Sequence, residues 1–216
     1  MLRPVSGVKV VPLLTRPAPR SRFAPLAVCL LSLGAGLALG LLAVGLLPAR
    51  QRRPLEAELG AAVRGLGVGR VGVRPTTVFA ESLVELEHVA AVLWLGGLSP
   101  WGGLAAVAAL FLRGFALGFG VGAFTVHWGR AGLLLALLAT GPGNLLSLPV
   151  LIALGACATG RSWGMWRSWR AGRRPPPLGG YALAGVLAAV ALVPSGLTTG
   201  FLVPELLRWT SPWWGS

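Results

Sequence analysis

Long uncharged apolar stretches constrain this chain more than any other feature of its sequence. The first, from Phe23 to Pro48, holds about 26 residues without a charge, and about 20 helical residues suffice to cross the hydrocarbon core of a bilayer. It is also too long for the apolar core of a signal peptide, which has about 7 to 15 residues. We therefore expect an uncleaved membrane-spanning helix here.

The composition agrees with a membrane protein. Hydrophobic residues make up 55% and charged residues 12% of the 216 residues, whereas roughly a quarter of the residues of a soluble domain are charged. This apolar content excludes both a soluble enzyme and a disordered chain. The net charge of +13 is divided between apolar stretches, so it indicates membrane topology rather than nucleic-acid binding.

The order of apolar runs, charges and prolines predicts an all-α polytopic membrane protein with about five transmembrane helices. The fourth run is interrupted at 140–144 and again at Pro149, so we expect a broken or re-entrant segment there. The predicted order is a basic cytoplasmic tail (1–22), TM1 (23–48), an extracytoplasmic segment with a short helix near 56–63 (49–80), TM2 (81–98), TM3 (101–126), broken TM4 (131–159), a cytoplasmic Arg/Trp loop (160–178), TM5 (179–203) and an extracytoplasmic tail (204–216).

Basic residues predict the orientation. Residues 1–22 and 161–178 each hold five basic residues and no acidic one, and four predicted crossings separate them. Both segments then lie on one side, which the positive-inside rule makes cytoplasmic. Arg50, Arg52 and Arg53, directly after the first run, favour the opposite orientation.

Arg113 lies inside the third apolar run. A charge at the centre of a membrane helix costs roughly 2.5 to 3.5 kcal/mol on insertion scales. Two explanations stay open: Arg113 contacts a partner, a buried acid or a lipid headgroup, or its long side chain reaches the cytoplasmic interface.

Gly114, Gly118 and Gly122 recur on one face of the same predicted helix, and Gly36 and Gly40 form a weaker copy in the first run. Without Cβ atoms, helix backbones can approach closely and gain van der Waals contact. The face fits packing against another span of this chain, or a homodimer or partner interface.

Pro142 and Asn144 lie in the predicted break of the fourth run, and Pro149 follows. Backbone groups freed at membrane depth need protein, water or the Asn144 side chain as hydrogen-bond partners. Two half-helices meeting there would line a cavity, as in transporters. Otherwise the break is a packing kink or a re-entrant turn.

Few residues are suited to catalysis or metal binding. The chain has no Asp and only two histidines, His88 and His127. His88 lies close to Glu85 and Glu87 but lacks the i,i+4 spacing that brings two ligands onto one metal. We expect these residues at the water interface, and we expect no cofactor, no metal site and no enzymatic activity.

Two motifs, in this order, resemble the stage II sporulation protein M family of endospore-forming bacteria. The first, Leu110–Gly122, has a basic residue before a glycine-rich span; the second, Pro142–Pro149, reads Pro-x-Asn-Leu-Leu-x-x-Pro. Pro204–Trp209 is similar to the family's C-terminal end, and the five-span layout agrees over nearly the whole chain. Family members often carry an acidic residue late in the last span, near Thr199 here, and this chain lacks it.

The resemblance implies a non-enzymatic membrane scaffold for forespore engulfment. Such a protein lies in the mother-cell septal membrane and anchors stage II sporulation proteins D and P, which are cell-wall hydrolases. Segment 49–80, the span faces and the C-terminal tail would recruit them. Two alternatives stay open: a small permease whose anion path includes Arg113, and a lipid-binding organiser whose Arg/Trp loop holds anionic headgroups.

Overall fold

The computed structural model describes residues 20–48, 50 and 75–210, and all regular structure in these ranges is helical. The prediction of an all-α chain is therefore confirmed for these residues. The predicted helix near 56–63 and most of both tails lie outside them. The helices are α1 (Arg20–Leu46), α2 (Pro75–Gly96), α3 (Gly102–Arg170), α4 (Gly179–Leu197), a π-helical segment (Thr198–Leu202) and α5 (Val203–Thr210).

Three helical stretches are long and apolar enough to cross a membrane: Phe23–Leu46, Gly102–Arg170 and Gly179–Leu206. The helix α2 is not among them. It has 22 residues, but three glutamates lie along it. The described helices thus supply three such stretches, whereas the sequence predicted about five crossings.

The long helix α3 reverses direction at Gly129. This residue has φ 61° and ψ −133°, and it is the one non-helical position inside the 69 residues of α3. A positive φ costs glycine little because glycine has no Cβ. The reversal divides α3 into a first arm (102–128) and a second arm (130–170), at the place where the sequence put the boundary between its third and fourth apolar runs.

The two arms lie side by side and antiparallel. Near the start of the first arm, the Gly103 N–H donates to Ser162 Oγ at 2.9 Å. Further along, the Leu110 side chain packs against Gly155. Ser162 is buried, and its hydroxyl also lies 2.7 Å from the Pro100 carbonyl oxygen, so it ties the end of the second arm to the turn before the first.

All helices run between two ends of one bundle. At one end, Pro25 of α1 contacts Gly160 of the second arm, and Trp94 of α2 stacks on Tyr181 of α4 with ring centroids 6.2 Å apart. We call this end, which holds the arginines and tryptophans of residues 161–170, the Arg/Trp end. We call the opposite end, which carries Gly129, the hairpin end. The start of α1 and residues 161–170 therefore share an end.

The helix α1 and the first arm run parallel and touch along their backbones. A Cβ on Gly114 or Gly118 would overlap a main-chain carbonyl oxygen of α1, and one on Gly36 or Gly40 would overlap a carbonyl oxygen of the first arm. We call these four residues the glycine seam. Gly122 continues it, with its Cβ position 3.2 Å from a Val44 methyl group. The predicted glycine face is thus covered by another helix of the same chain.

Two predicted boundaries are wrong. The helix α2 begins at Pro75, not at residue 81, because proline is well tolerated in the first turn of a helix and does not have to end one. The segment 160–170 is helical and continues the second arm, whereas the sequence predicted a loop from 160 to 178. The irregular connection is shorter and holds Pro175, Pro176 and Pro177.

The glycine seam leads to a test with a matched control. Replacing Gly118 by Ala puts a methyl group onto the Leu37 carbonyl oxygen, so we expect a loss of about 1–3 kcal/mol and a lower Tm in detergent. Gly120→Ala makes the same change in the same helix, where nothing lies within 4 Å of the new methyl group. Its Tm should stay constant or rise, because alanine favours helix. Equal effects of the two substitutions would contradict the seam.

Candidate functional site

A polar cavity of about 280 Å³ lies between α2, both arms of α3 and the end of α4. Polar side chains are expensive inside a membrane bundle, so a cluster of them marks a candidate site. The polar residues that line it are Ser82, Glu85, Arg113, Thr140, Asn144, Ser147, Ser195 and Thr199.

Arg113 is the charged centre of this polar cavity. Its Nη1 pairs with Glu85 Oε1 of α2, and its Nη2 donates to Asn144 Oδ1 of the second arm at 3.4 Å. The Arg113 side chain is 14% exposed and that of Glu85 is 63% exposed. The guanidinium therefore lies inside the bundle, held by partners on two other helical segments, and does not extend to the bundle end.

The position of Glu85 corrects a prediction. The sequence placed Glu85 and His88 on the first turns of their helix, at the water interface. Because α2 begins at Pro75, both lie near its middle, and Glu85 is level with Arg113. His88 is bonded within its own helix, with Nδ1 2.7 Å from the Val84 carbonyl oxygen.

The second arm stays helical through Pro142 and Pro149, so the predicted break at 140–144 is wrong. Side chains around Pro142 donate to main-chain carbonyl groups: Asn144 Nδ2 to Thr140 at 2.7 Å, and Ser195 Oγ to Gly143 at 2.6 Å. These bonds tie the stretch around Pro142 to its own helix and to α4.

The π-helical segment brings Thr199 to the polar cavity. The Thr199 hydroxyl donates to the Ser195 carbonyl oxygen at 3.0 Å. A wide helical turn of this kind is rare and often lies at a functional site. The resemblance implied an acidic residue near Thr199, which this chain lacks, and the carboxylate that pairs with Arg113 here is that of Glu85 on α2.

Two buried polar atoms at the cavity, Ser147 Oγ and Arg113 Nε, have no hydrogen-bond partner within the described part of the chain. Ser147 is 1% exposed. The cavity thus keeps hydrogen-bonding capacity for water or a small polar molecule. Among the described residues, no group of three His, Cys, Asp or Glu side chains lies close enough to hold a metal ion.

The sequence-predicted site residues fall into two sets. Arg113 and Asn144 meet in the polar cavity, and Pro142 lies on the same stretch of the second arm. Gly114 and Gly118 face α1 on a different side of the first arm. Sequence reasoning missed Ser195 and Thr140; the available signal was a small hydroxyl residue inside an apolar run.

The ion pair leads to a second test. Glu85→Gln leaves the Arg113 guanidinium without its carboxylate, so we expect a loss of about 1–2 kcal/mol, less than for a fully buried pair because Glu85 is largely exposed. Glu81→Gln, one helical turn earlier on α2, is the matched control and should change Tm little.

A carboxylate at position 199 should replace the Glu85 carboxylate that the Glu85→Gln substitution removes. In the Glu85→Gln background, Thr199→Glu places an acid on the other wall of the same cavity, and Tm should recover. A double variant less stable than Glu85→Gln alone would show that position 199 does not serve the Arg113 guanidinium.

Comparison with known proteins identifies no relative. No family model, no curated protein and no solved structure matches this chain. The resemblance to the stage II sporulation protein M family therefore rests on the residues of the chain alone.

Proposed function

We propose that this protein is an integral membrane scaffold that anchors cell-wall hydrolases during septal peptidoglycan remodelling and forespore engulfment. The observation that carries the proposal is the contact between its two motifs. Arg113, from the glycine-rich motif, donates to Asn144, from the Pro-x-Asn motif, at 3.4 Å. The residues on which the resemblance rests are thus neighbours in space as well as ordered in sequence.

The contacts of these two motifs fit the function of a scaffold. Gly114 and Gly118 join the first arm to α1, and Arg113 joins it to α2 and to the second arm. A bundle fixed through backbone contact and a charged hydrogen-bond network keeps its ends at a constant separation. That rigidity is what a scaffold needs to present binding surfaces to partners.

We further infer that the chain crosses the membrane five times, through α1, α2, the two arms of α3 and α4. The first arm alone is roughly 40 Å long at 1.5 Å per residue, enough to span the hydrocarbon core. The helix α2 carries three glutamates, but Arg113 pairs with Glu85 and lowers the cost of placing this carboxylate in a membrane. The Arg/Trp end faces the cytoplasm, and segment 49–80 with the C-terminal tail faces outwards.

In this proposal the protein lies in the mother-cell septal and engulfing membrane, and its partners are stage II sporulation proteins D and P. It needs no cofactor and performs no chemistry itself. A homodimer would have to use a face other than the glycine seam, because α1 already covers Gly114 and Gly118.

A permease is the second candidate, and the polar cavity is the observation that favours it. Its volume of about 280 Å³ and its polar lining fit a small solute. However, Glu85 neutralises Arg113, so an anion entering the cavity would meet a carboxylate beside the guanidinium. The geometry therefore favours a structural role for Arg113 over an anion path.

The topology can be tested at the two ends of the bundle. In a variant without native cysteines, a cysteine at position 128 should react with an impermeant thiol reagent in intact cells. A cysteine at position 168 should react only after permeabilisation. Cysteines at positions 60 and 214 should react in intact cells, like the cysteine at position 128. Labelling of 128 and 168 from the same side would contradict five crossings, and the reverse pattern would invert the orientation.

The scaffold function can be tested by affinity capture from sporulating cells. A tagged full-length chain should co-purify with stage II sporulation proteins D and P, and replacing residues 51–74 by a neutral linker of equal length should reduce capture at least tenfold. An Arg173→Gln/Arg174→Gln variant, altered at the opposite end, is the control and should still capture them. Absence of both hydrolases, together with solute flux in proteoliposomes that Arg113→Leu abolishes, would favour the permease.

A further inference from the structure

A second surface, at the Arg/Trp end, is distinct from the polar cavity. It is an apolar groove of about 400 Å³ between α1 and the starting and ending turns of α3. Its floor includes Val28 and Val107, and its wall includes Trp101, Trp163 and Trp166. None of its lining residues is charged, and the groove opens on the outer surface of the bundle, where Trp101 is 68% exposed.

The tryptophans form a connected wall. Trp101 from the start of the first arm meets Trp166 of the second arm edge to face, with ring centroids 5.0 Å apart. Trp166 in turn meets Trp169 at 5.5 Å. Aromatic contacts of this kind fix the rings relative to one another, and tryptophan is the side chain most typical of the membrane interface.

Two arginines lie over this wall at the rim of the groove. The guanidinium of Arg167 lies 5.7 Å from the Trp163 ring centroid, and that of Arg170 lies 4.9 Å from the Trp166 centroid. Each cation is thus held by a cation–π contact beside a tryptophan that lines the groove. Both side chains are exposed, so their N–H donors stay available to an anion.

We propose that this groove binds one anionic phospholipid. Its acyl chain lies along the apolar floor at Val28 and Val107, and its phosphodiester is held by Arg167 and Arg170. The combination favours a lipid over a free phosphate because the uncharged groove would add nothing to the binding of a small anion. It favours an anionic over a zwitterionic lipid because the rim carries two positive charges.

The other arginines at and after the end of α3 serve a different purpose or do not line the groove. Arg161 donates to the Pro177 carbonyl oxygen at 2.7 Å and lies over the Tyr181 ring, so it secures the connection to α4. Arg173 and Arg174 follow the end of α3 and do not line the groove. They carry the same charge as the rim pair and provide a matched control.

The test uses the full-length protein in detergent and native mass spectrometry, with phosphatidylglycerol and phosphatidylcholine of identical acyl chains. Phosphatidylglycerol should bind more tightly. An Arg167→Gln/Arg170→Gln variant should bind it roughly 25-fold more weakly, since each basic residue near an anionic surface contributes about 1 kcal/mol and about 1.4 kcal/mol is tenfold. Arg173→Gln/Arg174→Gln should change affinity less than about threefold.

A second variant tests the groove itself. Val107→Trp fills the floor and should weaken the binding of both lipids, whereas soluble glycerophosphate should not compete with phosphatidylglycerol. Equal losses in the two arginine variants would mean diffuse electrostatic attraction and overturn the proposal. Equal affinity for the two lipids, undiminished binding by a folded Val107→Trp variant, or competition by glycerophosphate would overturn it too.

Discussion

Backbone contact between α1 and the first arm of α3 is the constraint on which the rest of the bundle depends. Successive residues of a helix point about 100° apart, so once Gly114 and Gly118 face α1, the neighbouring Arg113 must point to another side. That side is occupied by α2 and the second arm, where Glu85 and Asn144 receive the guanidinium. The glycine seam therefore sets the position of the charge.

The polar cavity in turn links the second arm to the first arm and to α4. Asn144 and Ser195 donate to nearby carbonyl groups, and Asn144 also accepts from Arg113. One amide side chain thus bonds both to the backbone of its own helix and to the Arg113 guanidinium, so the two motifs of the sequence meet in one hydrogen-bond network.

The sequence predicted the glycine face, the importance of Arg113 and the reversal near Gly129, because periodicity, charge and glycine act locally. It did not predict which helix the glycine face meets, since both a neighbour in the chain and a second copy satisfy the same pattern. The break predicted at Pro142 was wrong because a helix can continue through a proline, and Ser195, which bonds to this stretch, is distant in sequence. The spacing of Trp163, Trp166 and Trp169 fits a helix as well as a loop.

The two ends of the bundle differ in chemistry, and this difference bears on how a scaffold would work. At the Arg/Trp end, aromatic rings and exposed cations suit the interface of an anionic membrane. At the hairpin end, α3 turns in a single glycine, which leaves little chain there to bind a partner. In the scaffold proposal, protein contacts on that side would therefore come from the segment before α2 and from the C-terminal tail. In the proposed scaffold, lipid would orient the chain at one end, and the longer segments would meet proteins at the other.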